Sequence, residues 1–207
     1  MKSYNSFKVD AFPTLIMQFT DVLSSNELNN IFDILKTKDT SEDGTLINGT
    51  SNFNVSLKES ILEELSILDI IQEKVDEYCR EIKFKKLNIT NTWFSIQDIG
   101  GLLLDHVHCG SIISGVFYIN AGELSSPLVF ENPNPLSSFN FSDPSILTGH
   151  SNYTNQVMRF TPNTGDLLLF PSWLKHGSEY FVNKQKDRTI ISFNTEWEWC
   201  ETPHITA

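Results

Sequence analysis

The stretch Gly100–Asn120, GGLLLDHVHCGSIISGVFYIN, places an H-x-H pair between two short apolar runs. The first run follows a pair of glycines and predicts a strand over residues 102–108. Because side chains alternate across a strand, we expect His106 and His108 on one face and Asp105 on the other. Two imidazoles on the same face of a strand can bind the same metal ion.

A third histidine follows a similar run further along the chain. His176 comes after the apolar stretch Asp166–Phe170 and the turn at residues 171–173. The chain holds five histidines, and the other two, His150 and His204, lie in a polar segment and near the C-terminus. Imidazole suits iron, zinc, copper or nickel, and three protein ligands leave positions open for catalysis. The pair and the distant histidine therefore predict one metal site across the mouth of a barrel.

From about residue 88 onward the sequence is rich in short strands separated by turn signals such as Pro162-Asn163-Thr164-Gly165. This rhythm favours a β-barrel or jelly roll. The predicted strands cover residues 90–97, 102–108, 111–119, 127–131, 157–161, 166–170, 178–182 and 188–196.

The N-terminal part has a helical pattern instead. Ser24 with Glu27, and Ser56 with Glu59, form two capping boxes, each followed by apolar residues at helical spacing. Residues 38–55, between the helices, are predicted as loop. We expect a mainly β fold in which two N-terminal helices pack on one sheet of the barrel.

No repeat or linker divides the chain, so we expect one domain over residues 1–207. Its N-terminal strand, over 14–19, and its helices occupy 1–87, and the barrel occupies 88–200. The polar segment 132–156 interrupts the strand rhythm and is expected to be an insertion loop, often a lid or binding loop.

Composition limits the partners. The net charge of -11 argues against a basic nucleic-acid surface, so nucleic acid is not expected as a stable partner. No apolar run approaches the length of a membrane span, and the N-terminus lacks the apolar core of a signal peptide. We therefore expect a cytoplasmic protein without a membrane partner. The three cysteines are widely spaced and suggest neither disulfides nor a thiolate zinc site.

Two segments, 100–120 and 165–194, resemble the 2-oxoglutarate- and iron-dependent oxygenase superfamily. The likeness is to its prolyl-hydroxylase-like branch and to a group of bacterial and phage members. The matching features occur in the same order in this chain. They are the glycine turn, the H-x-H pair, Tyr118-Ile119-Asn120, Gly165-Asp166, Phe170-Pro171-Ser172-Trp173, His176 and Arg188.

The resemblance implies a double-stranded β-helix, the barrel shared by jelly rolls and cupins, and it implies roles for individual residues. His106, His108 and His176 fall where the family holds Fe(II). Arg188 falls where an arginine binds the far carboxylate of the co-substrate 2-oxoglutarate, and Tyr118 falls where some relatives place a hydroxyl donor to it. The implied activity is a dioxygenase that uses 2-oxoglutarate and dioxygen, hydroxylates an unidentified substrate, and releases succinate and CO2.

The sequence departs from the family at two places. His108 stands where the family usually has a carboxylate, so three neutral imidazoles would leave the metal site one charge unit more positive. The position two residues after Arg188, often a small hydroxyl residue, is Ile190, and Ser192 is the candidate substitute.

Two alternatives remain open at this stage. Gly100, the H-x-H pair, Gly165, Pro171 and His176 also match much of the two cupin motifs. The usual cupin glutamate is missing, which favours the three-histidine sites of thiol dioxygenases within that group; these do not use 2-oxoglutarate. A non-catalytic binding module on the same barrel is the third interpretation.

Overall fold

The computed structural model describes residues 6–7, 10–53, 60–134, 145, 147–149, 151–178 and 181–197. Three helices and ten strands are assigned in this part of the chain. The helices are α1 (Ser25–Leu35), α2 (Ile61–Glu64) and α3 (Leu68–Glu81). The strands are β1 (Met17–Phe19), β2 (Ser41–Glu42), β3 (Leu46–Ser51), β4 (Leu87–Leu103), β5 (Ile113–Asn120), β6 (Leu128–Glu131), β7 (Val157–Phe160), β8 (Leu167–Pro171), β9 (His176–Gly177) and β10 (Arg188–Trp197).

Seven strands form one antiparallel sheet in the order β1-β8-β5-β10-β4-β3-β2. Three more, in the order β7-β6-β9, form a second, smaller sheet. An isolated antiparallel bridge between His106 and His176 joins the chain beyond β4 to β9. Two packed antiparallel sheets with these connections form the expected double-stranded β-helix.

Side chains on the central strands point alternately to the two faces of the large sheet, and apolar residues on both faces produce two apolar layers. Between the sheets lie Val116, Tyr118, Leu128, Phe130, Leu168, Phe170, Leu174 and Ile190. Intervening residues such as Phe117, Leu169 and Phe193 point to the outer face of the large sheet. There they pack against buried residues of the helices, including Ile31, Ile71 and Val75. The prediction that N-terminal helices cover one sheet is therefore confirmed.

The helix boundaries agree only in part with the sequence prediction. The capping box of Ser24 and Glu27 begins α1 as expected. The second helical stretch is broken into α2 and α3 at Ser66, which has φ 58. Here Ser66 N donates to Glu63 O and Ile67 N donates to Leu62 O, the pattern of a Schellman motif. The second predicted helical stretch is therefore divided into two helices, which the sequence does not reveal because the apolar spacing continues across this left-handed residue.

Residues 38–55 are not simply a loop. β2 and β3 form a hairpin in which Thr45 N donates to the Asp43 carboxylate. β3 adds to the side of β4, so the hairpin lies at the edge of the large sheet. A polar edge strand exposes much of its surface and lacks the apolar alternation from which strands are predicted.

Two predicted strands around the site were also wrong in extent. Regular pairing of the 102–108 segment ends at Leu103, and only the His106 bridge follows. The strand predicted at 178–182 is absent from its described residues, and β9 comprises only residues 176–177. Ser178 N donates to Leu103 O and Asn183 N donates to Gly101 O. These two contacts hold Ser178 opposite Leu103 and Asn183 opposite Gly101, and no strand is assigned over the described residues 181 and 182.

Several predictions concern residues outside the described part of the chain. They include the Ser56–Glu59 capping box, His150, His204 and much of the 132–156 insertion, which joins β6 to β7. Among the described helices, none has the length and apolar character needed to cross a membrane.

Candidate metal centre

His106 and His176 are brought together by their own backbones. His106 N donates to His176 O at 2.9 Å, and His176 N donates to His106 O at 3.0 Å. The chain reaches His106 three residues beyond the end of β4, after Gly100, where φ is +88, a conformation that glycine adopts without steric cost. His108 is held next, because its N–H donates to Ser172 O at 2.9 Å just beyond β8.

Each of the three rings is oriented by a hydrogen bond from Nδ1. His106 Nδ1 lies 2.8 Å from Leu104 O, and His176 Nδ1 lies 2.8 Å from Leu174 O. His108 Nδ1 lies 2.6 Å from Asn194 Oδ1. All three acceptors are oxygens that cannot donate, so the ring protons reside on Nδ1. This tautomer leaves every Nε2 with a free lone pair, as in metal-binding histidines whose other nitrogen is hydrogen-bonded.

The Nε2 atoms converge. Those of His106 and His108 are 3.1 Å apart, and candidate ligand atoms of all three histidines lie within 4.8 Å of one another. Two lone pairs at this separation repel each other unless a cation lies between them. Two nitrogens bound at about 2.1 Å and at a right angle around one ion would be about 3.0 Å apart. The donor set therefore fits a metal ion that prefers imidazole and an open coordination sphere.

The surroundings keep His108 and His176 neutral. His176 is 4% exposed and packs edge-on against Phe170, with Phe130 nearby. Burial, reinforced by the neighbouring His106, lowers the pKa of His176 to about 3. Burial also lowers the pKa of His108, opposed by its hydrogen bond to Asn194. Neutral imidazole is the form that binds metal, so no proton has to leave these two rings near neutral pH.

Asp105, immediately before His106, points away from the centre as the strand alternation predicts. Its carboxylate lies 3.6 Å from Lys175 Nζ, which also pairs with Glu131 at 2.7 Å. The three-histidine set thus contains no carboxylate from this neighbouring position. Trp93 lies on the other side, its ring 5.8 Å from that of His108 and 5.2 Å from that of Phe53.

Arg188 begins β10 and faces into the barrel, where it is 5% exposed. Its Nη1 donates to Gln97 Oε1 at 2.7 Å, across the register pair that joins β10 to β4. In the described part of the chain no carboxylate pairs with it. Burial lowers the pKa of the guanidinium, so the charged form would be stabilised by an anion beside it.

Three buried polar atoms in this region lack hydrogen-bond partners among the described residues. They are Arg188 Nε, Gln97 Nε2 and the Tyr118 hydroxyl oxygen. The guanidinium carbon of Arg188 lies 5.4 Å from the Tyr118 ring centroid. Buried polar groups are rarely left unpaired, so three together indicate a bound group with acceptor oxygens. A carboxylate has that character, and a planar guanidinium suits it.

Burial raises the pKa of Tyr118 to about 12, and the nearby Arg188 opposes that rise. Tyr118 is therefore a neutral hydroxyl donor near neutral pH. Ser192 lies on the same face of β10, between Arg188 and Asn194, and is paired in register with Trp93 and Val116. Its assignment to the same anion stays a prediction, because Ile190, packed between the sheets, separates it from Arg188.

The sequence did not identify Gln97 or Asn194 as functional candidates. Both are polar residues at positions that face the interior of the barrel. Their significance comes from cross-strand pairing, which places Gln97 opposite Arg188 and brings Asn194 to His108. A search for buried polar side chains on predicted barrel strands would have highlighted both.

Comparison with known protein structures supports the same fold. HygX from Streptomyces hygroscopicus, solved with nickel and 2-oxoglutarate bound, has a TM-score of 0.60 at 12% identity over 94% of this chain and 90% of its own. A prolyl-4-hydroxylase from Pseudomonas putida has a TM-score of 0.60 at 9% identity, covering 89% of this chain and 94% of its own. Viral collagen prolyl hydroxylase from Paramecium Bursaria Chlorella virus-1, in its 2OG complex, has a TM-score of 0.52 at 14% identity, covering 87% and 94%.

At these identities the solved structures establish the fold alone. No curated protein matches the chain in sequence. A family defined by sequence does match, under the description "Putative 2OG-Fe(II) oxygenase", over residues 91–194. That span is half of the chain and includes the three histidines, Tyr118 and Arg188. The chain belongs to this family of 2OG-Fe(II) oxygenases.

Proposed function

We propose that the protein is an Fe(II)- and 2-oxoglutarate-dependent dioxygenase in which His106, His108 and His176 hold the metal. Arg188, with Tyr118 and Gln97, binds the far carboxylate of 2-oxoglutarate. The observation that carries this proposal is the group of buried, unpartnered donors around Arg188. It lies in the same barrel interior as three imidazoles whose lone pairs converge.

When bound, ferrous iron and 2-oxoglutarate supply the oxidising chemistry, in which dioxygen converts 2-oxoglutarate to succinate and CO2 while one oxygen atom hydroxylates the substrate. The chain's own residues would bind the metal and the co-substrate and orient them. The three histidines would hold the metal through Nε2, and three protein ligands would leave coordination positions open. Arg188 and Gln97 would hold the far carboxylate of the co-substrate, and the keto-acid end would be the part available to the metal.

The charges of the site favour an anionic co-substrate. Three neutral imidazoles leave the full charge of a divalent ion uncompensated, and Arg188 adds a buried positive charge. 2-Oxoglutarate carries two negative charges, one for each of these positions. The Tyr118 hydroxyl, held neutral by burial, can donate to the carboxylate at the Arg188 end.

A three-histidine cupin-type dioxygenase would need only the metal centre. Such an enzyme has no use for a buried guanidinium without a counter-ion on the adjacent strands. A non-catalytic binding module on the same fold likewise leaves Arg188 and its unpartnered neighbours unexplained. These donors therefore favour the 2-oxoglutarate-dependent reaction over both alternatives.

Calorimetric titration of 2-oxoglutarate into the nickel-loaded protein tests the proposal, because both groups can be followed without turnover. We expect binding that requires the metal and that weakens at least about tenfold in Arg188→Met, consistent with the loss of a charge-assisted hydrogen bond. Bound nickel should be unchanged in that variant. Thr189→Val, a buried neighbour on the opposite face of β10, is the control. Metal-loaded protein that binds no 2-oxoglutarate, or that binds it equally well without Arg188, would refute the proposal.

A further inference from the structure

His108 is supported by a closed ring of hydrogen bonds that neither of the other two histidines has. Ser114 and Ser172 are both fully buried, and their hydroxyl oxygens lie 2.8 Å apart. Ser114 Oγ also lies 2.8 Å from Asn194 Oδ1, which accepts from His108 Nδ1. The ring closes through the backbone, because His108 N donates to Ser172 O.

The directions of these hydrogen bonds are determined by the chemistry of Asn194. A carboxamide oxygen only accepts, so Ser114 must donate its single proton to Oδ1. Ser172 must then donate to Ser114, and His108 must carry its proton on Nδ1. The opposite orientation of the amide would present N–H to the ring and require a lone pair on Nδ1. In that arrangement the proton would move to Nε2, the atom that faces the metal centre.

We infer that Asn194 is a positioning residue that selects the metal-binding tautomer of His108, with the buried Ser114 hydroxyl contacting the same amide oxygen. The inference rests on the proposed three-histidine metal site. It explains how a histidine functions at the position where the oxygenase superfamily that the sequence resembles usually has a carboxylate. A carboxylate is ionised near neutral pH, so both of its oxygens offer lone pairs to a metal. A neutral imidazole offers a lone pair at Nε2 only in the tautomer that carries its proton on Nδ1.

The contrast with the other ligands supports this role. His106 and His176 donate to backbone carbonyls two residues earlier in the chain, so their tautomers are set locally. His108 donates instead to a side chain on β10, 86 positions away. Its ring orientation therefore depends on a residue that can be changed without altering the local backbone.

The test is nitrogen NMR of metal-free protein labelled with ¹⁵N-histidine, which reports each ring's tautomer, combined with nickel calorimetry. His108 signals are assigned by their absence in His108→Gln. In the wild type we expect the Nδ1–H tautomer. In Asn194→Ala we expect a mixture of tautomers and nickel affinity lower by about 10–100-fold. Asn194→Asp, which keeps the acceptor oxygen, should restore both readouts, and Asn194→Val provides a second variant without an acceptor.

Thr195→Val is the matched control. Thr195 is the next residue on β10, is fully buried, and hydrogen-bonds to Ile113 instead of to a histidine. It should lose stability without changing the tautomer of His108. An Nε2–H tautomer of His108 in the wild type, or an unchanged tautomer and nickel affinity in the folded Asn194 variants, would overturn the inference. A wild type that binds no nickel would instead refute the metal site, which the tautomer measurement does not require.

Discussion

His106 and His176 face each other as a hydrogen-bonded pair of an antiparallel bridge, with reciprocal backbone contacts of 2.9 and 3.0 Å. The bridge connects the chain just beyond β4 to β9, and it sets the separation of two candidate ligands through backbone geometry. Side-chain rotamers then only have to direct Nε2 toward the centre. The candidate metal site is thus part of the closure of the barrel.

Because the bridge between His106 and His176 closes the barrel, we predict that Gly177→Ala lowers both the stability of the protein and its affinity for nickel. A Cβ at Gly177 would lie 2.3 Å from Asp105 Oδ1 and 3.0 Å from the Asp105 backbone, next to both bridged histidines. We expect a loss of about 1–3 kcal/mol in the free energy of unfolding, as for overpacked sites, together with weaker nickel binding. Gly122→Ala, whose nearest contact would be an ordinary 3.4 Å, is the control. Chemical denaturation and calorimetry measure both effects. Unchanged values in Gly177→Ala would show that the bridge does not determine the ligand geometry.

Removing one of the three histidines should abolish the stabilisation of the protein by metal. A metal ion that binds only the folded state stabilises that state by about 2.7 kcal/mol when its concentration is 100 times its Kd. We expect Fe(II) or Ni(II) to raise the Tm of the wild type and to leave that of His176→Ala unchanged. Metal content after desalting should fall in the same variant. A metal-dependent rise in Tm that survives the substitution would exclude His176 as a ligand.

The buried polar group formed by Arg188, Gln97 and Tyr118 should stabilise the protein only when an anion is bound to it. Replacing both Arg188 and Gln97 by apolar residues, as in Arg188→Met with Gln97→Leu, removes a buried charge together with the amide that is hydrogen-bonded to it. We expect the free energy of unfolding without co-substrate to rise by about 1–4 kcal/mol, the range seen when buried charged groups are replaced by packed apolar ones. The increase in Tm caused by 2-oxoglutarate should disappear. A double variant that is less stable yet still responds to 2-oxoglutarate would contradict the assignment.

We predict that the raised pKa of Tyr118 makes the protein less stable as the pH becomes alkaline. Its pKa is about 12 in the folded protein and about 10 in the unfolded chain. Above the lower value the unfolded state loses its proton first, so stability falls as pH rises through this window. We expect Tyr118→Phe to show a smaller decline in the free energy of unfolding between these pH values, measured by urea denaturation. Equal declines in both proteins would mean that Tyr118 ionises normally when folded.

The sequence predicted the elements that carry strong local signals. Glycine turns and apolar runs located most barrel strands to within a few residues, and the H-x-H spacing correctly predicted that His106 and His108 converge. Local patterns failed where tertiary contacts override them. Ser66 ends a helix inside an apolar repeat, and Ser178 and Asn183 hydrogen-bond to Leu103 and Gly101 where a continuous strand was predicted.

The side-chain contacts between neighbouring strands could not be predicted from the sequence. Gln97 is opposite Arg188, and Asn194 reaches His108, only because of the register in which β10 pairs with β4 and β5. That register includes irregularities near Thr189 and Phe193, so counting residues along either strand does not give it. The residues that orient the site were therefore less predictable than those expected to bind the metal.

The most direct test of the three-histidine, 2-oxoglutarate-dependent centre is the visible spectrum of the anaerobic Fe(II) protein during titration with 2-oxoglutarate. Chelation of iron by the keto-acid end should produce a charge-transfer band that saturates with one equivalent of 2-oxoglutarate. The band should be absent in His176→Ala and should require higher 2-oxoglutarate in Arg188→Met. Protein that retains iron but develops no band at any 2-oxoglutarate concentration would contradict the account.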